Sequence, residues 1–248
     1  MKLKLTFSLL LALVLAGCAS APQEVARSQE PMAPTARAEE RLGTKWGDEI
    51  ASSVRSVNLR RQSETPLDEN IIRYANRQYR GQSLNSISLA AGSIELRVES
   101  DSRALPMVRD GRHYYLQGRE GQPYQLVYRN NSRQTYEIVA AVDGLDVISG
   151  RTASRRHSGY VLYPQQSLVI QGFRKSQQAV ASFIFSKPAD AYAARTPAGQ
   201  ESNTGVIATV VYELYDPASS RQPSRPTPAG NDEPNPFPAD GRYAPPPR

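Results

Sequence analysis

The sequence predicts a mainly β protein: an antiparallel β-sandwich with a short helical N-terminal region and a disordered Pro-rich C-terminal tail. Three observations carry this. From Ser86 to Tyr215, apolar residues alternate with polar ones over short runs, the period-two pattern of strands that bury one face. Turn-forming clusters separate the runs at about 8–15 residues, a spacing suited to a sandwich. Ten of the 19 Pro then fall between Pro217 and Arg248, in a stretch with too few aliphatic residues to offset its ordering entropy.

In chain order, residues 39–82 read as a partly helical region. Trp46, Ile50, Val54 and Val57 fall at spacings that line one helical face, which Gly43 and Gly47 weaken. After Pro66, Ile71, Ile72, Ala75 and Tyr79 make a second helical stripe, while Ile71-Ile72-Arg73-Tyr74 reads equally as a strand. Residues 83–216 form the sandwich. Strands are expected where Ile87, Leu89, Ile94, Leu96 and Val98 alternate with polar residues, then over Tyr124–Tyr128, Tyr136–Val142, Gly159–Tyr163, Ser167–Phe173, Val180–Ser186 and Gly205–Tyr215. The polar segment 129–134 reads as a hairpin turn, because Asn tolerates left-handed backbone, and 164–166 as another turn. Val206–Tyr212 is apolar on both faces, as a central covered strand would be. The tail, 217–248, reads as disordered with polyproline II character. Such tails act as spacers or as ligands of aromatic grooves; spacer is the expectation here.

The N-terminus reads MKLKLTFSLLLALVLAGC. Lys2 and Lys4 precede an apolar run, Leu5 to Leu15. As a helix the run would be about 16 Å long, against a bilayer core of about 30 Å. It therefore reads as a signal peptide, residues 1–17, and not as a stable span. Leu15-Ala16-Gly17-Cys18 resembles the lipobox of bacterial lipoproteins, and the resemblance stops there. It implies cleavage before Cys18, lipid on its sulfur, and anchoring to a membrane. The alternative is ordinary cleavage after Ala19-Ser20-Ala21. Cys18 is the only cysteine, so the mature chain has no disulfide and folds on its core alone. Ala19 and Ser20 after the cysteine fit outer-membrane sorting in the Gram-negative class, with the domain on the periplasmic face. Residues 18–38, with Pro22, Pro31 and Pro34, read as a flexible tether spanning about 25 Å.

The formal charge is +6; without Lys2 and Lys4, 28 basic residues against 24 acidic ones leave +4. Most of the basic residues are Arg, suited to bidentate contact with carboxylate or phosphate. The mild excess points to acidic glycan or lipid headgroups as ligands, or to a plain Arg-rich surface. Nucleic acid is not expected, since the chain is exported and has no basic–aromatic recognition motif.

The sequence holds no G-x-S-x-G, no S-x-x-K, no H-E-x-x-H, no P-loop and no cysteine pair, so hydrolase, metal and nucleotide chemistry lack a motif. No cofactor or metal is expected. Asp143 and Asp146 are close neighbours in an expected loop after a strand. They read as an acid pair, a partial calcium site, or a turn in which Asp143-Gly144 supplies the backbone geometry and Asp146 caps amides; the turn is preferred. Arg151, Arg155, Arg156 and His157, with Arg174 and Lys175, are the candidate anion or partner contact, at one basic edge. His113-Tyr114-Tyr115 reads as a stacking surface or as cross-strand packing. Trp46 reads as a packing anchor or as a hot spot for a partner, with packing preferred. The leading expectation is a non-enzymatic binding or assembly module of the envelope with a protein partner. The alternatives are a glycan-acting hydrolase and a surface-exposed adhesin or secretion accessory.

Overall fold

The computed structural model describes residues 40–217 and 242–248, and the backbone of 235–237. The signal peptide, Cys18 and the whole tether lie outside the described residues, as does most of the tail. In chain order the strands are β1 Gly43–Ala51, β2 Val54–Ser56, β3 Arg60–Arg61, β4 Asp68–Ala75, β5 Gln82–Leu84, β6 Ile87–Leu89, β7 Ile94–Ser100, β8 Arg103–Ala104 and β9 Met107–Asp110. They continue as β10 His113–Gln117, β11 Pro123–Asn130, β12 Tyr136–Val142, β13 Leu145–Asp146, β14 Tyr160–Leu162, β15 Ser167–Ile170, β16 Gly172–Arg174, β17 Ala179–Ser186, β18 Val206–Tyr215 and β19 Asn235–Phe237.

Two sheets face each other. The first runs β1-β17-β11-β7-β6, and the second β13-β12-β18-β4-β10-β9-β5. Pairing is antiparallel throughout these sheets except for β10 on β4. The core lies between them. Leu96, Val98, Leu126, Tyr128, Phe183 and Phe185 of the first sheet meet Ile72, Leu116, Ile138, Val142, Ile207 and Val211 of the second, all essentially fully buried. Period two is what places these residues on one face of each strand. Hydrogen bonds also tie the layers, among them Tyr128 Oη with Thr209 Oγ1 at 2.7 Å.

The fold is the expected β-sandwich, but its front is not helical. Among the described residues the helical segments named are three-residue 3-10 turns. The segment read as a first helix is β1, antiparallel to β17, with its register shifting between Trp46 and Glu49. The two glycines explain the error. A Cβ at Gly43 would meet Ala191, and one at Gly47 would collide with Ser182 Oγ and its carbonyl oxygen. They sit where chains approach closely in a sheet, and the four-residue spacing of Trp46 and Ile50 is incidental. Asp68–Ala75 takes its strand reading and lies between β18 and β10. The stretch from Gly43 to Gln82 thus contributes strands to both sheets, β1 to the first and β3, β4 and the start of β5 to the second.

Two expected turns also connect differently. Segment 131–135 joins β11 of the first sheet to β12 of the second, so it crosses the sandwich instead of closing a hairpin. Buried Asn130 fixes the crossing: its Nδ2 donates to the carbonyls of Gln134 at 2.7 Å and Tyr163 at 3.0 Å. Residues 163–166 likewise carry the chain from β14, on β12, to β15, on β11. β18 is central as expected, but its outward residues Val206, Ala208 and Val210 are only half-buried. Part of the tail is ordered: Ala244 is buried and Tyr243 packs on the core. No described helix is long and apolar enough to cross a membrane.

Candidate functional site

The structure does not gather the predicted basic residues into one exposed edge. Arg151, Arg155 and Arg156 are exposed in the segment after β13. Arg155 pairs with Glu69 at 2.6 Å. His157 is partly buried, its Nδ1 3.8 Å from Asp146 Oδ2. Arg174 is 2% exposed and belongs to the interior. Its Nε donates to Tyr160 Oη at 3.1 Å, and its two terminal nitrogens to the carbonyl and hydroxyl of Ser52. No carboxylate lies within ion-pairing distance of it among the described residues. Lys175, by contrast, pairs with Glu49.

A better-formed site lies elsewhere, in a groove of about 540 Å³. Its floor is the end of β4 and the start of β18, with residues 40–42 and 204–205 at its sides. Three arginines line it, Arg41, Arg73 and Arg77, together with Tyr79 and Tyr115. The tyrosine rings stack with centroids 4.8 Å apart and planes 23° apart. The Arg77 guanidinium sits over Tyr79 at 4.9 Å, continuing the stack. Alternation along β4 turns Ile72 and Tyr74 inward and leaves Arg73 outward. The parallel register sets Arg73 beside Tyr115. Arg41 is held by the Glu201 carbonyl at 3.2 Å, and Glu40 lies 3.8 Å from Arg77. Among the described residues Arg73 has no ion pair or side-chain hydrogen bond. Three cations against one carboxylate leave the groove net positive. Arg and aromatic side chains together offer forked donors for an anion and a flat apolar wall.

Beneath this groove lies a buried polar network that holds its floor. Asp143 Oδ1 accepts from Tyr74 Oη at 2.6 Å and from the Gly205 amide at 2.8 Å; Oδ2 accepts from the Thr44 amide at 2.7 Å. Thr44 Oγ1 bonds both Tyr74 Oη and Tyr124 Oη at 2.7 Å. The network joins β1 and β11 of one sheet to β4 and β18 of the other. Burial pushes the Asp143 carboxyl up to about 6, against the pull of its donors. Burial, then the charge on Asp143, also raises the hydroxyls of Tyr74 and Tyr124 well above the usual tyrosine range.

Asp143 has φ +52° and Gly144 φ +76°, the left-handed turn geometry expected of this pair. Asp146 Oδ1 accepts from the amide and hydroxyl of Ser149 at 2.7 and 2.6 Å, as a turn cap would. Burial raises its carboxyl as well. Both carboxylates are almost completely buried. Among the described residues no three His, Cys, Asp or Glu side chains are placed to hold a metal.

In the sequence Tyr115 stands out only within an aromatic run, and nothing local marks Arg41, Arg73 or Arg77. The four segments that meet in the groove share no local motif; the one signal was an aromatic step on a strand. No family model, curated protein or solved structure matches this chain.

Proposed function

We propose that the protein is an envelope lipoprotein, anchored through lipid on Cys18 to the outer membrane at its periplasmic face. In this reading it is a non-enzymatic binding module whose ligand is an anionic glycan, a sugar acid or a sugar phosphate. The observation that carries the ligand class is the groove of Arg41, Arg73 and Arg77 around the stacked Tyr79 and Tyr115. A sugar ring offers C–H faces to an aromatic wall, and its carboxylate or phosphate offers paired acceptors to guanidinium. The lipobox supports the anchor. A protein partner at the same face is the reading's assembly component.

The test uses the full chain in detergent micelles. Calorimetric titration with an oligogalacturonate is compared with a neutral oligosaccharide of equal length. Binding of the acidic oligomer alone is expected, weakened about tenfold or more by Arg73→Ala and by Tyr115→Ala. Equal binding of both oligomers, or of neither, sinks the ligand assignment. Fractionation of cells making Cys18→Ala tests the anchor separately: release from the membrane supports it, and unchanged behaviour removes it.

A further inference from the structure

The geometry points to a second binding site, an aromatic groove for a polyproline segment, whose resident ligand is this chain's own Tyr243–Arg248. The segment reads Tyr-Ala-Pro-Pro-Pro-Arg. Proline fixes its own φ, and a following proline holds the preceding residue extended. Residues 244–247 are therefore set toward a polyproline II path before they touch anything, and binding them costs little entropy.

The surface they meet suits such a ligand. Trp46, Phe173 and Tyr192 form one aromatic cluster, with ring centroids 4.9 Å apart for Trp46 and Tyr192 and 4.7 Å for Phe173 and Tyr192. Tyr192 Oη donates to the Pro245 carbonyl at 2.6 Å. Proline carbonyls lack a neighbouring N–H and are open acceptors, so an aromatic wall with one aimed hydroxyl is a fitting mode of recognition. Main-chain bonds fix the register. The Ala244 amide donates to Ile148 and Arg174 carbonyls at 2.9 and 2.8 Å, and the Arg248 amide to the Arg195 carbonyl at 3.1 Å. Gly150 makes room, since a Cβ there would strike Ala244 and the Tyr192 hydroxyl. Pro247 lines a groove of about 430 Å³ that continues along Trp46, Tyr192 and Arg195 to Lys45 and Glu120. The tail thus occupies one end of a longer channel. It is held in cis as a displaceable latch, a role separate from the arginine groove and independent of its ligand.

Trp46 is the only tryptophan, so its emission reports on this groove alone. In the full chain, Pro245→Ser, Pro246→Ser and Pro247→Ser together are expected to red-shift Trp46. Added peptide Tyr-Ala-Pro-Pro-Pro-Arg should reverse the shift. The unaltered chain should need about tenfold or more peptide, because its tethered tail competes at an effective concentration of order millimolar. Tyr192→Phe on the tail variant should weaken the peptide about five- to tenfold. A folded tail variant with unshifted Trp46, or no response at about 10 mM peptide, overturns the proposal. A wild-type mass by light scattering that is doubled, and halved by the tail substitutions, overturns the cis assignment. Should the triple variant not fold, Tyr192→Phe in the otherwise unaltered chain decides. Faster amide exchange at Ala244 and Arg248, with β12 and β18 unchanged, supports the latch; unchanged exchange there refutes it.

Discussion

Asp143 makes the stability of this fold depend on pH in a direction opposite to that of a salt-bridged carboxylate. Its side chain is 1% exposed, and burial lifts its carboxyl from an ordinary 3.8 to about 6. The folded chain therefore binds more protons than the unfolded chain between these values. Stability falls as pH rises wherever the native state holds the extra proton. The contribution is complete below pH 4 and is lost as pH passes through about 6. A shift of roughly two units at about 1.4 kcal/mol each gives a loss of roughly 3 kcal/mol across the window. The perturbation is Asp143→Asn, which keeps the volume and removes the titration. The variant will be weaker throughout, because its amide turns one donor toward the Thr44 N–H that the carboxylate accepts. The informative quantity is the gap between wild type and variant. Urea unfolding followed by Trp46 emission at pH 4, 5, 6 and 7 should show that gap shrinking by about 3 kcal/mol. A gap constant to within about 0.5 kcal/mol would mean that Tyr74, Thr44 and Gly205 compensate the buried charge fully, and the burial argument would fail.

Three further perturbations test the packing. Gly47→Ala should cost about 1–3 kcal/mol in urea unfolding, since the added methyl meets Ser182 of β17 across a tight strand pair. Tyr128→Phe should cost about 1–3 kcal/mol by stranding the Thr209 hydroxyl between the sheets, and adding Thr209→Val should recover much of the loss; no recovery would deny the bond its role. Arg174→Ala should cost about 3–5 kcal/mol and lower the thermal midpoint, because Ser52 and Tyr160 lose their donor inside the protein; Arg174→Met, filling the same space without charge, should cost less.

The sandwich was legible in the sequence where strands bury one face. Ile94, Leu96 and Val98 announce themselves by alternation with the half-buried Glu95 and Arg97. The front was not, because β1 carries its information in glycines. Gly43 and Gly47 are read locally as helix-weakening residues, while their role is steric and depends on Ala191 and Ser182, far away in sequence. Pairing was equally hidden. Asn130 looks like a hairpin residue, yet its buried amide reaches Gln134 and Tyr163 and sends the chain to the opposite sheet. Period two fixes which face a residue takes but is silent on which strand lies beside it.

The candidate sites follow the same division. Arg174 looks like a surface cation by its charge and is an interior residue, because a guanidinium that finds a carbonyl, two hydroxyls and an aromatic face can be buried. Arg73 and Tyr115 become neighbours only through the parallel register of β10 on β4, a crossover no local window contains. The tail teaches the converse lesson. Its composition argues against a core of its own, but docking onto an existing one demands far less. Three consecutive prolines have little freedom to lose, so one buried alanine, one tyrosine hydroxyl and three main-chain hydrogen bonds from two amides seat Tyr243–Arg248. Low hydrophobicity therefore limits what a segment can fold by itself and leaves open what it can dock against.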